Sequence, residues 1–356
     1  MKERCNFSTE RRKEVVRTSG CWGVRAAFAL LLTVTIASQK SFGTSAADPD
    51  LEVGKGPKVT GYIQYHFNYP VGGGEHRFRV HRARVGVEGR VNSRITYEVD
   101  IDPRAPEHAG TLRDAFFNVE LNKNHTLRLG QQKTKFGFIN QRSSSRLYRV
   151  NRPELADELA RGINLRDVGA TLMGKSPKRE GVRTEYAISV VNGAGMNVQR
   201  DNNNKKNLSG RVGLSGKKAS YKWRWGVSAS HGDKFETSNN PKYANGGYYI
   251  RFSRAGSDFY VDHKRFDLYG EYAIGRQRDR GSKETLEGYY LTLVGKTSKR
   301  YGPVLSYDSM NHTENVRVVV GAYHGERNEK FRVLMNYEFR GAVDTGRFYL
   351  WSLVRF

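Results

Sequence analysis

The chain has 356 residues, 37% of them hydrophobic, and a formal charge of +24. Past residue 47 no apolar run approaches the roughly 20 residues of a membrane helix, which excludes a helical membrane protein. Abundant Gly (38), sparse Pro (9) and frequent aromatics suit strands and turns better than disorder.

Residues 1–47 read as a signal peptide. Arg25 precedes the apolar run Ala26 to Ala37, and Ser45-Ala46-Ala47 offers a small-residue cleavage site before Asp48. Cys5 and Cys21, the only cysteines, both precede that run, so the exported chain has no disulfide or thiolate chemistry. Residues 48–58 form a short periplasmic leader and residues 59–356 a single domain. Removing the +5 of residues 1–47 leaves +19, an excess that implies an anionic partner or permeant. The cations recur on the polar faces of strands and form no basic tail, which argues for a lined cavity and against a nucleic-acid surface.

From residue 59 onward apolar side chains occupy every second position. Ala83, Val85 and Val87 alternate with Arg82, Arg84 and Glu88; Ile95, Tyr97, Val99 and Ile101 with Glu98, Asp100 and Asp102; Ala115, Phe117, Val119 and Leu121 with Asp114 and Glu120. A period of two gives each strand one apolar and one polar face. The pattern returns at Val168 to Leu172, Tyr186 to Val190, Leu208 to Leu214, Trp223 to Val227, Tyr248 to Phe252, Phe259 to Val261, Leu268 to Ile274 and Tyr289 to Leu293. It ends with Val316 to Val320, Phe331 to Phe339 and Phe348 to Phe356, while Pro303 to Ser309 reads equally as strand or turn. No linker divides the series. The fold class is therefore all-β, a transmembrane antiparallel β-barrel of about 16 strands, with 14–18 as the range. One long break, from about Asn140 to Leu165, carries Arg142, Arg146, Arg149, Arg152 and Arg161, and its Asn151 to Arg161 part suits a short helix. Loops of this length are commonly functional.

The succession RFRVHRARVGVEG, ITYEVDID, LRDAFFNVEL and LRLGQQKTKFGF, followed by AISVVNGAG, LYGEYAIG, EGYYLTLVGK and the closing RFYLWSLVRF, resembles the phosphate-selective porin O and P family over about residues 59–356. Two positions depart from that pattern: Thr134-Lys135 stands before Phe136-Gly137 where the family has a Val-Pro-type pair, and His81 replaces the first Arg of the arginine strand. The resemblance implies a homotrimer of 16-stranded barrels in the bacterial outer membrane, whose inward loops and arginine ladder select anions.

With the apolar face turned to outer-membrane lipid, Arg82, Arg84, Arg128, Arg211, Arg224 and Arg251 line the lumen, as do Arg317 and Arg332, with Arg142, Arg146 and Arg149 on the long loop. Guanidinium keeps its charge and presents a donor fork matched to phosphate and carboxylate. Glu98, Asp100 and Asp102 are the pore-lining acids. The nine histidines show no metal-ligand spacing and no nucleophile motif is present, so no catalytic residue, metal or cofactor is expected. The expected function is a passive channel for phosphate or polyphosphate-like anions. The alternatives are a general diffusion porin with a weak anion bias and an outer-membrane barrel enzyme using Asp100 and Asp102.

Overall fold

A backbone N–H or C=O left unpaired in hydrocarbon costs several kcal/mol, so strands cross a membrane only as a closed sheet. The computed structural model shows such a closure. It describes residues 56–104, 112–161, 166–198, 201, 203–237, 247–279, 282–297, 300–311, 316–325, 330–341 and 346–356. The expected signal segment and most of the leader lie outside the described residues.

The strands are β1 (Lys58–Pro70), β2 (Arg77–Asn92), β3 (Ile95–Ile101), β4 (Leu112–Asn122), β5 (His125–Lys133), β6 (Arg166–Lys175), β7 (Val182–Val191) and β8 (Asn207–Lys218), then β9 (Tyr221–Thr237), β10 (Gly247–His263), β11 (Phe266–Asp279), β12 (Ser282–Gly295), β13 (Tyr301–Met310), β14 (Arg317–His324), β15 (Phe331–Arg340) and β16 (Arg347–Arg355). Each pairs antiparallel with its neighbours in sequence, and β1 pairs with β16 to close a 16-stranded barrel. Gly61 and Phe356 extend that seam by exchanging backbone bonds of 3.0 and 3.1 Å. The ambiguous stretch around Pro303 is strand, within β13. One end of the barrel carries tight turns, such as those joining β2 to β3 and β8 to β9; the other carries the long connections, including residues 134–165. By the architecture of outer-membrane barrels, the long-loop end is extracellular.

Alternation sorts the faces as expected for most strands. Ile63, Val85, Val99, Phe117, Val227, Leu291, Leu305, Met335 and Val354 are exposed on the outside. Gln64, Thr96, Asp114, Thr171, Ser189 and Ser306 are buried inside. The extracellular half of β10 is the exception. Ile250 and Phe252 were expected to face lipid, but they are buried, while Arg251 is exposed between them. Arg251 pairs across the sheet with Asp233 of β9 and belongs to the outer face, so it does not line the pore. Its place inside is taken by Arg254, whose Nη1 donates to Leu159 O at 2.8 Å. Apolar character here marks burial inside the barrel, where the Arg254 guanidinium lies 4.4 Å from the Phe252 ring, and alternation alone cannot distinguish that from packing against lipid.

That loop follows β5 and folds into the lumen. Gly137, at φ 68°, makes the left-handed turn that brings it inward. A 3-10 turn spans Ser144–Arg146, capped by the Ser143 side chain. The expected short helix is present as helical Glu154-Leu155 followed by a π-helical turn, Ala156–Arg161. Phe136, Ile139, Leu147, Tyr148, Leu155 and Leu159 pack against inward Tyr260, Tyr269, Val294, Val304, Leu334 and Trp351. Fully burying such a side chain contributes about 1.5–3 kcal/mol, so this apolar half of the interior holds the loop firmly.

The two faces of β2 give a direct test. Val85→Arg sets a guanidinium against lipid at a cost of about 2–4 kcal/mol near the bilayer midplane. In a refolding assay read by heat-modifiable gel mobility, Val85→Arg is expected to lower the folded fraction, and Arg82→Ala to leave it near the native level.

Candidate functional site

Where the loop leaves the wall uncovered, the inner faces of β2, β4, β5 and β6 meet the start of the loop around a small polar cavity of about 70 Å³. Its lining is Arg82, Arg84, Arg113, Lys133, Arg152 and Arg166 with Asn140 and Ser144. Six cations thus converge from four strands and one loop. Register explains the convergence. Gln64 faces Arg82 and Tyr62 faces Arg84 across β1 and β2, while Gly86 faces Asp100 across β2 and β3, and Asp100 faces Asp114 across β3 and β4.

Carboxylates hold two of the cations in place. Arg84 Nε donates to Asp102 Oδ2 at 3.2 Å and its Nη1 lies 3.6 Å from Asp100 Oδ2. Arg166 forms a bidentate pair with Asp114, at 2.9 and 2.6 Å. Bidentate pairs of this kind fix guanidinium geometry as well as charge. Arg82 Nη1 donates to Gln64 Oε1 at 2.7 Å, and Arg152 donates to the carbonyl oxygens of Ile139 and Arg142. Arg113 Nε is buried without an acceptor among the described residues. The wall contributes three acids, Asp100, Asp102 and Asp114, against six cations, so the cavity is net cationic.

Other expected residues occupy different positions. Arg128 faces inward, with its Cζ 3.6 Å above the Phe116 ring and Nε bonded to Asn118 Oδ1 at 2.8 Å. Glu98 also faces inward, opposite Phe116. Arg211 is inward but paired bidentately with Asp258. It lies flat across β9, where a Cβ on Gly226 would sit 2.1 Å from its Nη2, so glycine makes the crossing possible. Arg224 faces the lumen, exposed and without an acidic partner among the described residues. Arg142 packs over Phe138, Tyr260 and Tyr269, 5.2–5.7 Å from each ring. Arg146 is exposed on the 3-10 turn.

Arg149, expected at the constriction, is buried and closed off by Asp308 at 2.7 Å and Ser306 at 2.9 Å. Arg317 and Arg332 likewise serve the loop. Arg317 lies 2.8 Å from Asp308 and donates to Arg152 O; Arg332 donates to Ser145 O and Leu147 O. These three are anchors, because a desolvated cation needs immediate partners. Sequence reasoning missed Arg113, Lys133 and Arg166, and placed Arg152 on the long loop without assigning it to the lining. Arg113 and Lys133 stood in motifs already visible, LRDAFF and GQQKTKFG, and Arg166 opens the strand that leaves the loop.

The loop is latched across the lumen by wall side chains. Glu271 of β11 accepts from the backbone N–H of Phe138 and of Ile139. Ser209 and Ser228 accept from Lys135 and Gly137, Asn336 from Val150, and Asp308 from Glu154. Removing a buried acceptor leaves each donor unsatisfied, at about 1–3 kcal/mol. Glu271→Ala is therefore expected to widen the passage: single-channel conductance rises and anion preference falls, while the barrel still assembles. Lys135, on the loop outside the strands, supplies a pH test. Burial first, then the nearby Arg128, holds its ammonium down at about 7. A lowered ammonium pKa means charge present below that pH and lost above it. Anion preference, read from reversal potentials, should decline modestly between about pH 6 and 8, and Lys135→Arg should flatten the profile.

Comparison with known proteins agrees with this architecture. The chain is similar to OmpT, an outer membrane protein of Vibrio cholerae, in its trimer form: identity is 11%, with 85% of this chain and 99% of that chain covered at a TM-score of 0.57. It is similar to the anion-selective porin from Comamonas acidovorans, at 11% identity, 85% and 99% coverage and a TM-score of 0.55. For Salmonella typhi OmpF in complex with daunomycin the values are 13%, 84% and 97%, and 0.53. At these identities the likeness is one of fold. No curated protein matches the chain. The family model for phosphate-selective porin O and P matches residues 58–283, more than half of the sequence. The chain belongs to the phosphate-selective porin O and P family of outer-membrane porins.

Proposed function

We propose that this porin is a passive, water-filled, anion-selective channel that passes phosphate or polyphosphate-like anions across the outer membrane. The observation that carries the reading is the convergence of Arg82, Arg84, Arg113, Lys133, Arg152 and Arg166 on one small polar cavity beside the inserted loop. Guanidinium forks suit tetrahedral oxyanions. Asp100, Asp102 and Asp114 hold part of that charge in check, which favours release as well as entry, as conduction requires. Asp100 and Asp102 face Arg84, a setting for a pore wall and not for an acid–base pair. Exposed Arg224 adds a further attraction within the lumen. Removal of residues 1–47 on export, the 48–58 leader and assembly as a homotrimer belong to the same reading.

Pairing of Arg84 and Arg166 with acids also supports a second reading, a general diffusion porin with only a weak anion bias. Reversal potentials across a planar bilayer in a potassium chloride gradient separate the two. A chloride over potassium permeability ratio well above one, with millimolar phosphate blocking the chloride current, is expected; a ratio near one with no block would leave the diffusion reading. The double change Arg82→Ala with Arg84→Ala removes two cations and unmasks two carboxylates, so the preference should move toward cations. With Lys at both positions, charge is kept but bidentate contacts are lost. Chloride preference should then persist while phosphate block weakens about tenfold, the loss of one charge-assisted hydrogen bond.

A further inference from the structure

A second group of cations lies outside the lumen, on the outer face of β10, β11 and β12. The alternation that exposes Tyr272 and Tyr289 on the exterior also places Arg276, Arg278 and Lys283 there. Arg251 stands directly opposite Arg278, and Arg278 directly opposite Lys283, so three like charges lie side by side on three adjacent strands. Arg276 is the next outward position on β11. All four are exposed. Asp233 bridges Arg251 and Lys205, at 3.0 Å from each. Arg276, Arg278 and Lys283 have no carboxylate partner among the described residues. Like charges directly opposite one another destabilise a sheet, and a bound anion would relieve this row.

The height of the row on the barrel identifies the anion. On β11 the outward apolar run is Phe266, Leu268, Tyr272 and Ile274, and Arg276 ends it. The ten residue steps from Phe266 to Arg276, at about 3.3 Å each and tilted about 40°, rise roughly 25 Å, the height of the lipid-facing band of an outer-membrane barrel. The cations therefore begin where the hydrocarbon ends, on the long-loop side, at the headgroups of the outer leaflet. On β14, β15, β16, β1 and β2 the outward positions nearest the long loops are apolar: Val318, Phe339, Phe348, Tyr69 and Phe78. The basic row is local, not a general feature of the exterior.

We propose that Arg251, Arg276, Arg278 and Lys283 form a docking site for the phosphorylated headgroup of an outer-leaflet lipid. Guanidinium forks meet the phosphate oxygens; below them on the same face come Thr285 and Glu287, whose carboxylate accepts from Tyr272 OH at 2.8 Å, and then exposed Tyr289 and Leu291, on which acyl chains lie. A free phosphate ion would gain only the first of these contacts. The site depends on the barrel's placement in the membrane and is independent of the permeant, so its failure would leave the pore reading untouched.

The test is native mass spectrometry of the porin released from phosphatidylcholine micelles doped with bisphosphorylated lipid A. Wild-type protein is expected to retain lipid A, to retain far less of the dephosphorylated form, and to keep its lipid in millimolar inorganic phosphate. The triple variant Arg276→Gln, Arg278→Gln, Lys283→Gln should lose retention by roughly a hundredfold, from about a fivefold loss per surface cation. The matched variant Arg276→Lys, Arg278→Lys should keep most of it, and both should conduct like wild type, which shows that they fold. Equal retention by the triple variant would overturn the proposal, as would equal retention of the dephosphorylated lipid. Displacement by inorganic phosphate would also overturn it, by making the row a free-anion site.

Discussion

The backbone hydrogen-bond seam between β1 and β16 is the interaction on which everything else depends. With it, every strand has two neighbours and no row of N–H and C=O groups faces hydrocarbon. Closure in turn creates an inside and an outside, and gives meaning to the period-two pattern of the sequence. Each polar side chain on an inward position is then sheltered from lipid at no cost in backbone bonding. Only in that shelter can six cations be gathered around one cavity.

The inserted loop divides the sheltered space. Toward β10–β16 it meets tyrosines, leucines and Trp351 and behaves as a protein core. Toward β2–β6 it meets arginines and aspartates and behaves as the wall of a passage. The loop sits between two environments, and its own composition follows: Ile139, Tyr148 and Leu155 on one side, Asn140, Ser144 and Arg152 on the other. Buried wall charges such as Asp308 and Arg332 bond directly to backbone groups of the loop, so wall and loop share one hydrogen-bonded interface.

Barrel class, strand order and the inward facing of Arg82, Arg84, Glu98, Asp100 and Asp102 were legible because alternation is a local signal. The grouping of Arg113, Lys133, Arg152 and Arg166 was not, because it depends on cross-strand register and on where the loop lands, and both are set by contacts between residues distant in sequence. Arg149 shows the limit most clearly. Beside Arg146 in the sequence it reads as an equal candidate for the pore, yet one points into solvent and the other is sealed against Asp308. On β10 the same limit acts in reverse: Ile250 and Phe252 are apolar for the sake of the interior, and Arg251 is charged for the sake of the exterior.

A wide hollow tube of single-layer sheet is easily flattened, since its interstrand bonds resist pulling apart far better than they resist bending. Here a folded segment spans the bore and is fastened to many staves at once: Gln64, Ser209, Ser228, Glu271, Asp308, Arg332 and Asn336 all grip it. It acts as an internal strut. Lateral pressure from the surrounding lipid is borne by the strut, and the cross-section of the tube, with whatever passes through it, keeps its shape when the membrane around it is compressed.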